Sequence, residues 1–154
     1  MAKLCAFGEL LCDVTPYGVS DRQFPIYEFN PGGAPANVAV ALCNLGIEAS
    51  FIGQVGDDHF GQFLKSILLE KAVDVDALMM SPNYPTSLAI VSNKPDGDRS
   101  FSFYRKHNAD VMVKLNDDFK KKISEADVFH VGSVSMSDEP SRATTFALMK
   151  YAKK

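Results

Sequence analysis

The chain has 154 residues, a length that suits one domain, and its 46% hydrophobic content is enough for a real core. A formal net charge of −3 removes the electrostatic case for nucleic acid or an anionic membrane surface. Three cysteines, Cys5, Cys12 and Cys43, lack CxxC spacing and read as reduced thiols of a cytoplasmic protein, and no apolar segment approaches the ~18 residues of a membrane span.

The start, MAKLCAFGELLCD, has one Lys, no long apolar region and no small-residue cleavage site, so it reads as a first strand and not as a leader. Residues 4–11 form an apolar run ending at Asp13, expected as a buried strand that delivers a carboxylate at its C-terminal end. Open α/β sheets bind ligands at that edge, and a carboxylate there accepts hydroxyl hydrogen bonds. The plain alternative is a loop Asp satisfied by neighbouring backbone N–H groups. Residues 14–31 read as loop, with Pro16, Gly18, Pro25 and Pro31, interrupted by a short strand over 26–29.

The segment 31–56, PGGAPANVAVALCNLGIEASFIGQVG, carries the most specific pattern. Gly32 and Gly33 open a helix over 34–45, Pro35 and Asn37 stand in its first turn, and Gly46 is suited to stop it. Glycines let backbone approach a ligand and permit positive φ. The helix start offers free N–H groups and the positive end of its dipole. Asn37 brings both a donor and an acceptor. Apolar residues nearly all round predict a buried helix; without a ligand, the same pattern is a tight strand-to-helix turn. A second strand is expected over 48–55. A helix capped by Asp57 or Asp58 then runs to about residue 70, with Phe60, Phe63, Leu64, Ile67 and Leu68 on one stripe. This alternation predicts an α/β fold with a largely parallel sheet.

The middle departs from that rhythm. Residues 86–93 read as a strand, 94–98 as a turn, and 100–105, SFSFYR, as the second strand of a hairpin. With the piece at 26–29 it forms a small side sheet. Arg105 offers a rigid fork of donors, the alternative being a solvated Arg on an edge strand; Lys106, His107 and Asn108 are weaker candidates. Asn116 starts a short helix to about residue 124. A strand over 127–133 ends in Gly132 and Ser133, with Ser133 a lesser contact candidate and His130 a core residue. Ser137 or Asp138 caps the last helix, with Pro140 near its first turn. Asp57-Asp58 reads as a helix cap and 120–122 as a solvated lysine face, and no His, Cys and Asp spacing suggests zinc.

The positions Gly32, Gly33, Pro35, Asn37, Ala39, Gly46 and Gly56 together resemble the N-terminal signature of the PfkB/ribokinase family of carbohydrate kinases, and GGAPAN resembles its fructokinase branch. The resemblance implies a ribokinase-like (Rossmann-like) α/β fold, a mostly parallel sheet with helices on both faces, in one domain over 1–154. A small β lid is expected near 23–30 and 86–105. It implies ATP-dependent phosphoryl transfer to a primary alcohol of a sugar, with Asp13, Gly32, Gly33 and Asn37 binding hydroxyls. Arg105 then points from the lid towards the substrate, with Phe103 on its face and Tyr104 facing away. The chain has no GxxxxGK[ST] P-loop. It also lacks the later GAGD-type run with which these kinases hold the transferring phosphate and take the hydroxyl proton. The expectation is therefore the sugar-binding N-terminal half of such a kinase, with no catalytic base of its own. ATP, Mg²⁺ and a monovalent cation belong to the complete enzyme, and none is expected to bind tightly to this chain alone. The partner is fructose or a related small sugar, not nucleic acid or membrane. A homo-oligomer is expected, dimerising through lid strands or exposed sheet surface. A 2-keto-3-deoxygluconate or nucleoside kinase of the same family is an alternative, since Arg105 suits an acidic sugar equally. A non-catalytic sugar-binding or regulatory fragment, or a remnant that binds nothing, are the others.

Overall fold

The computed structural model describes residues 2–93 and 98–153; the turn expected at 94–98 lies outside them except for its last residue. The first strand, β1 (Lys3–Phe7), sends alternate side chains to opposite faces: Cys5 and Phe7 join one buried cluster and Ala6 the other. The expected single strand over 4–11 is corrected here. A Cβ on Gly8 would lie 2.6 Å from Cγ of Pro35, so the chain passes the start of the first helix where position 8 has no room for a side chain. It re-enters as β2 (Leu11–Val19) in a different sheet.

The loop expected over 14–31 is also corrected. β2 and β3 (Pro25–Gly32) form an antiparallel pair with a register shift between Pro16 and Gly18. β2 meets a second neighbour only over Cys12–Val14, so Pro16 sits where its missing N–H interrupts no ladder on that side.

Helix α1 (Ala34–Asn44) buries Pro35, Ala36 and Ala39, small residues that let it approach β1 and the next strand closely, while Asn37 and Leu45 are exposed. The expected all-round burial of α1 is therefore corrected to one buried face. Gly46 ends it at φ +79°, its N–H donating to the Cys43 carbonyl at 2.9 Å and that of Ile47 to Leu42 at 3.0 Å.

β4 (Glu48–Gly56) and α2 (His59–Glu70) follow as expected. β5 (Leu78–Ser81), four residues against β4, went unanticipated because so short a strand shows no period. β6 (Leu88–Asn93) and β7 (Arg99–Tyr104) are antiparallel neighbours. Then come α3 (Asp117–Ser124), capped by Asn116, β8 (Val128–Val131), a 3-10 turn at Ser133–Met136, and α4 (Ser141–Ala152). Neither Ser137 nor Asp138 caps α4 through its side chain, another correction: Pro140 takes the cap position, and Glu139 Oε2 accepts from the Ala143 N–H at 3.1 Å.

The strands form two sheets. β5-β4-β1-β8 is wholly parallel; β3-β2-β6-β7 is mixed and is the side sheet expected as a lid. The parallel sheet is covered on both faces, as the family resemblance implied. Ala6, Phe51 and Val55 pack with Ala36 and Ala39 of α1 and Leu64 and Leu68 of α2; Cys5, Phe7 and Ile52 pack with Phe119, Ile123 and Leu148 of α3 and α4. Burial on both faces is the usual condition of parallel strands.

Asp58 ties the two sheets together. Its carboxylate caps α2 through the Gly61 N–H at 2.8 Å and accepts the Thr86 N–H at 2.7 Å and hydroxyl at 2.8 Å just before β6. Burial pushes this carboxyl up, but the hydrogen bonds from Thr86 and Gly61 outweigh it and hold it below the usual range. Asp58→Ala is expected to cost about 2–3 kcal/mol in urea unfolding at neutral pH. Because the folded-state value is depressed, the difference is present above about pH 4 and fades as the pH falls through the folded value.

Candidate functional site

Strand register places two of the side chains expected to bind a ligand, Asp13 and Phe103, in one row. In the lid, Asp13 lies opposite Asn30 on β3 and Ala89 on β6, and Ala89 lies opposite Phe103 on β7. Asn30, Asp13, Ala89 and Phe103 therefore form one row on one lid face. Asp13 is not at the C-terminal end of a core strand, as expected, but the third residue of β2. Its placement beside Gly32 results: a Cβ on Gly32 would stand 2.5 Å from Asp13 Oδ2. The carboxylate is half-buried, burial raises it above the usual Asp range, and no hydrogen-bond donor reaches it among the described residues. It is a partly desolvated acceptor with open capacity.

Gly33 follows at φ +114°, and a Cβ there would overlap the Glu9 carbonyl oxygen. Gly33 thus sits against the chain segment that leaves β1, and Gly32 against the start of β2. Asn37 is exposed in the first turn of α1, its backbone N–H bonded to the Gly33 carbonyl at 3.0 Å. Phe103 is 62% exposed and stacks on Phe101 at 5.9 Å. Ser133 is exposed at the end of β8, at the start of the 3-10 turn.

Arg105 departs from its expected role. It lies one residue beyond β7, and its side chain is 7% exposed. Nε pairs with Asp110 Oδ2 at 2.5 Å, NH1 donates to Ser137 Oγ at 3.1 Å, and NH2 to the Val134 carbonyl at 3.3 Å. Each guanidinium nitrogen is bound within the protein, so Arg105 fastens the end of the lid to the turn after β8 and does not reach free from the lid face. Asp110, itself buried, also receives the Ser87 hydroxyl at 2.5 Å.

Sequence reasoning missed Glu9. It is 4% exposed, immediately past Gly8, and its Oε1 accepts the Ala34 N–H, the first of α1, at 3.1 Å. The helix start that promised free N–H groups to a ligand thus already holds an internal carboxylate. Burial pushes Glu9 above the usual carboxylate range against the pull of its own N–H and that of Ala34. The signal was available: Glu9 is the one charged residue inside the apolar run 4–11.

A cleft at the opposite, N-terminal edge of the parallel sheet is lined by Lys3, Glu48, Asp74 and Lys122. Within it Lys3 pairs with Glu48 at 2.9 Å and Lys122 with Asp74 at 2.6 Å.

Residues 1–154 match the model of the pfkB family carbohydrate kinases, and the chain belongs to that family. It is 44% identical over 149 residues to probable fructokinase-7 of Arabidopsis thaliana, a match spanning 96% of this chain and 43% of that protein. The fructokinase of Xylella fastidiosa superposes with a TM-score of 0.90 at 36% identity, covering 99% of this chain and 49% of the other; that enzyme is also known with bound ATP. A double mutant of Vibrio cholerae O395 fructokinase, in a form with fructose, ADP and potassium ion bound, gives a TM-score of 0.80 at 33% identity over 99% of this chain and 47% of that one. The chain spans about half the length of the relatives it matches. Among the described residues no helix is long and apolar enough to cross a membrane.

Proposed function

We propose that this chain is the sugar-binding part of an ATP-dependent kinase that phosphorylates a primary alcohol of fructose or a closely related sugar. The observation that carries this reading is Asp13: a half-buried carboxylate without a donor among the described residues, set against Gly32 on the lid row that ends in Phe103. Asp13 accepts hydroxyl protons, Gly32 and Gly33 let the sugar approach the backbone, Asn37 offers a donor and an acceptor, and Phe103 walls the lid side. Arg105 holds the lid end in place, which leaves the acidic-sugar alternative without its cationic contact.

The residues present do not fit a nucleotide. The sequence has neither a P-loop nor a GAGD-type run, and the described residues hold no group of three or more His, Cys, Asp or Glu placed for a metal ion. In this reading ATP, Mg²⁺ and the general base belong to the length of the relatives that this chain does not span. The exposed aromatics Phe101, Phe103 and Tyr104 of the lid support a dimer formed through it, which light scattering after gel filtration tests directly.

Titration calorimetry with fructose tests the sugar site. Asp13→Asn, nearly isosteric, is expected to weaken binding about 10- to 100-fold, the worth of hydrogen bonds to a charged group. Wild-type affinity is expected to fall as Asp13 takes up a proton, at a pH above the ordinary Asp range near 4. Equal fructose affinity for wild type and Asp13→Asn would contradict the assignment.

A further inference from the structure

Glu9 is buried yet spends only one of its carboxylate oxygens. Oε1 accepts the Ala34 N–H, and Oε2 is buried without a hydrogen-bond partner among the described residues. Burying an unpaired carboxylate oxygen is unfavourable, and an apolar residue would fill the same space without that cost. The surroundings are built around it. A Cβ on Gly132 would lie 2.8 Å from Oε2, and Gly33, at the start of α1, packs without a side chain over the Glu9 carbonyl. Gly33 supplies no side-chain cap to α1, so Glu9 provides the acceptor that the N-terminal helix dipole lacks locally.

We propose that Glu9 is the positioning residue of the sugar site: by holding the Ala34 N–H and the backbone over which Gly33 lies, it sets Gly32, Gly33 and Asn37 in the shape that receives the sugar. This deepens the proposed function and rests on it. Glu9 touches the turn, not the sugar; Asp13 and Asn37 make the contacts. The charged groups nearest in effect are Arg105 and Asp110, which are paired with each other and leave Glu9 to the helix start.

The test uses the 154-residue chain, fructose titration and amide NMR spectra. Glu9→Ala is expected to weaken fructose binding at least about tenfold, as small misplacements of a positioning framework do. Glu9→Gln keeps a carbonyl oxygen for Ala34 and is expected to restore affinity to within about threefold. The Gly33, Ala34 and Asn37 amide signals should move in the first variant and return in the second. If Glu9→Ala does not fold, Glu9→Asp, which withdraws the oxygens by one methylene, takes its place with the same expected loss. A variant that melts earlier but binds fructose like wild type makes Glu9 merely structural and overturns the proposal. If wild type binds no fructose, the proposed function fails instead; the amide signals then decide, and unchanged Gly33, Ala34 and Asn37 signals in the Ala variant overturn the positioning role on their own.

Discussion

Arg105→Ala is expected to destabilise the chain by about 3–5 kcal/mol, the range for removing one partner of a buried ion pair. The loss is large because Asp110 stays behind. Its side chain is 1% exposed, and after the substitution, among the described residues, only the Ser87 hydroxyl donates to it. The Arg105 fork also ties the end of β7 and the nearby segment at Asp110 to the turn with Val134 and Ser137, about thirty residues on. Urea denaturation reads the stability loss, and hydrogen exchange at β6 and β7 should rise as the lid end is released. Arg105→Met with Asp110→Leu removes both charges together and is expected to recover most of the loss, since apolar replacement of a whole buried pair is often near neutral. If the double variant is no more stable than Arg105→Ala, the charge left unpaired is not the cause.

Gly33→Ala is the second large effect, and it acts on the site itself. Two costs coincide. Position 33 has φ +114°, which L-residues rarely adopt, and the new Cβ would overlap the Glu9 backbone carbonyl, which has no rotamer with which to yield. A loss of at least about 3 kcal/mol follows, or a melting temperature lower by roughly 6–12 °C for a chain of this size. Gly46→Ala is the matched control. It too has positive φ, +79°, but open space around the new Cβ, so only backbone strain remains, about 1 kcal/mol. Equal melting temperatures for the two variants would refute the close packing of Gly33 on Glu9. Fructose titration of any folded Gly33→Ala protein should show weakened binding, because the displaced turn carries Asn37 with it.

Much of the fold is local and was legible. The caps at Asp58 and Asn116, the stop at Gly46, the α2 stripe and the β6–β7 hairpin follow from neighbours within a few residues, where turn chemistry and period decide the structure. The glycine signature also marked where backbone comes into close approach, since tight packing and positive φ restrict the residue type at positions such as 33 regardless of context. The errors share one origin. The run 4–11 has the composition of a single strand, yet it divides between two sheets because Pro35, far along the chain, occupies the space beside Gly8. Residues 14–31 look like a loop because their prolines and glycine dilute the period, but pairing between β2 and β3 overrides that weak propensity.

The sequence by itself determined the family, the α/β class and the residue types at the glycine edge, all of which reside in spacing along the chain. Only the tertiary structure decided what the charged groups do. Arg105 had the donors for a ligand, but Asp110 and the carbonyl of Val134, 29 residues away, claim them. Glu9 has no partner nearby in sequence that reveals its part, but the Ala34 N–H, 25 residues on, turns it into the anchor of a helix. A side chain's chemistry is set by its type, whereas its partner is set by which distant segment the core packs beside it, and that is a property of the fold as a whole.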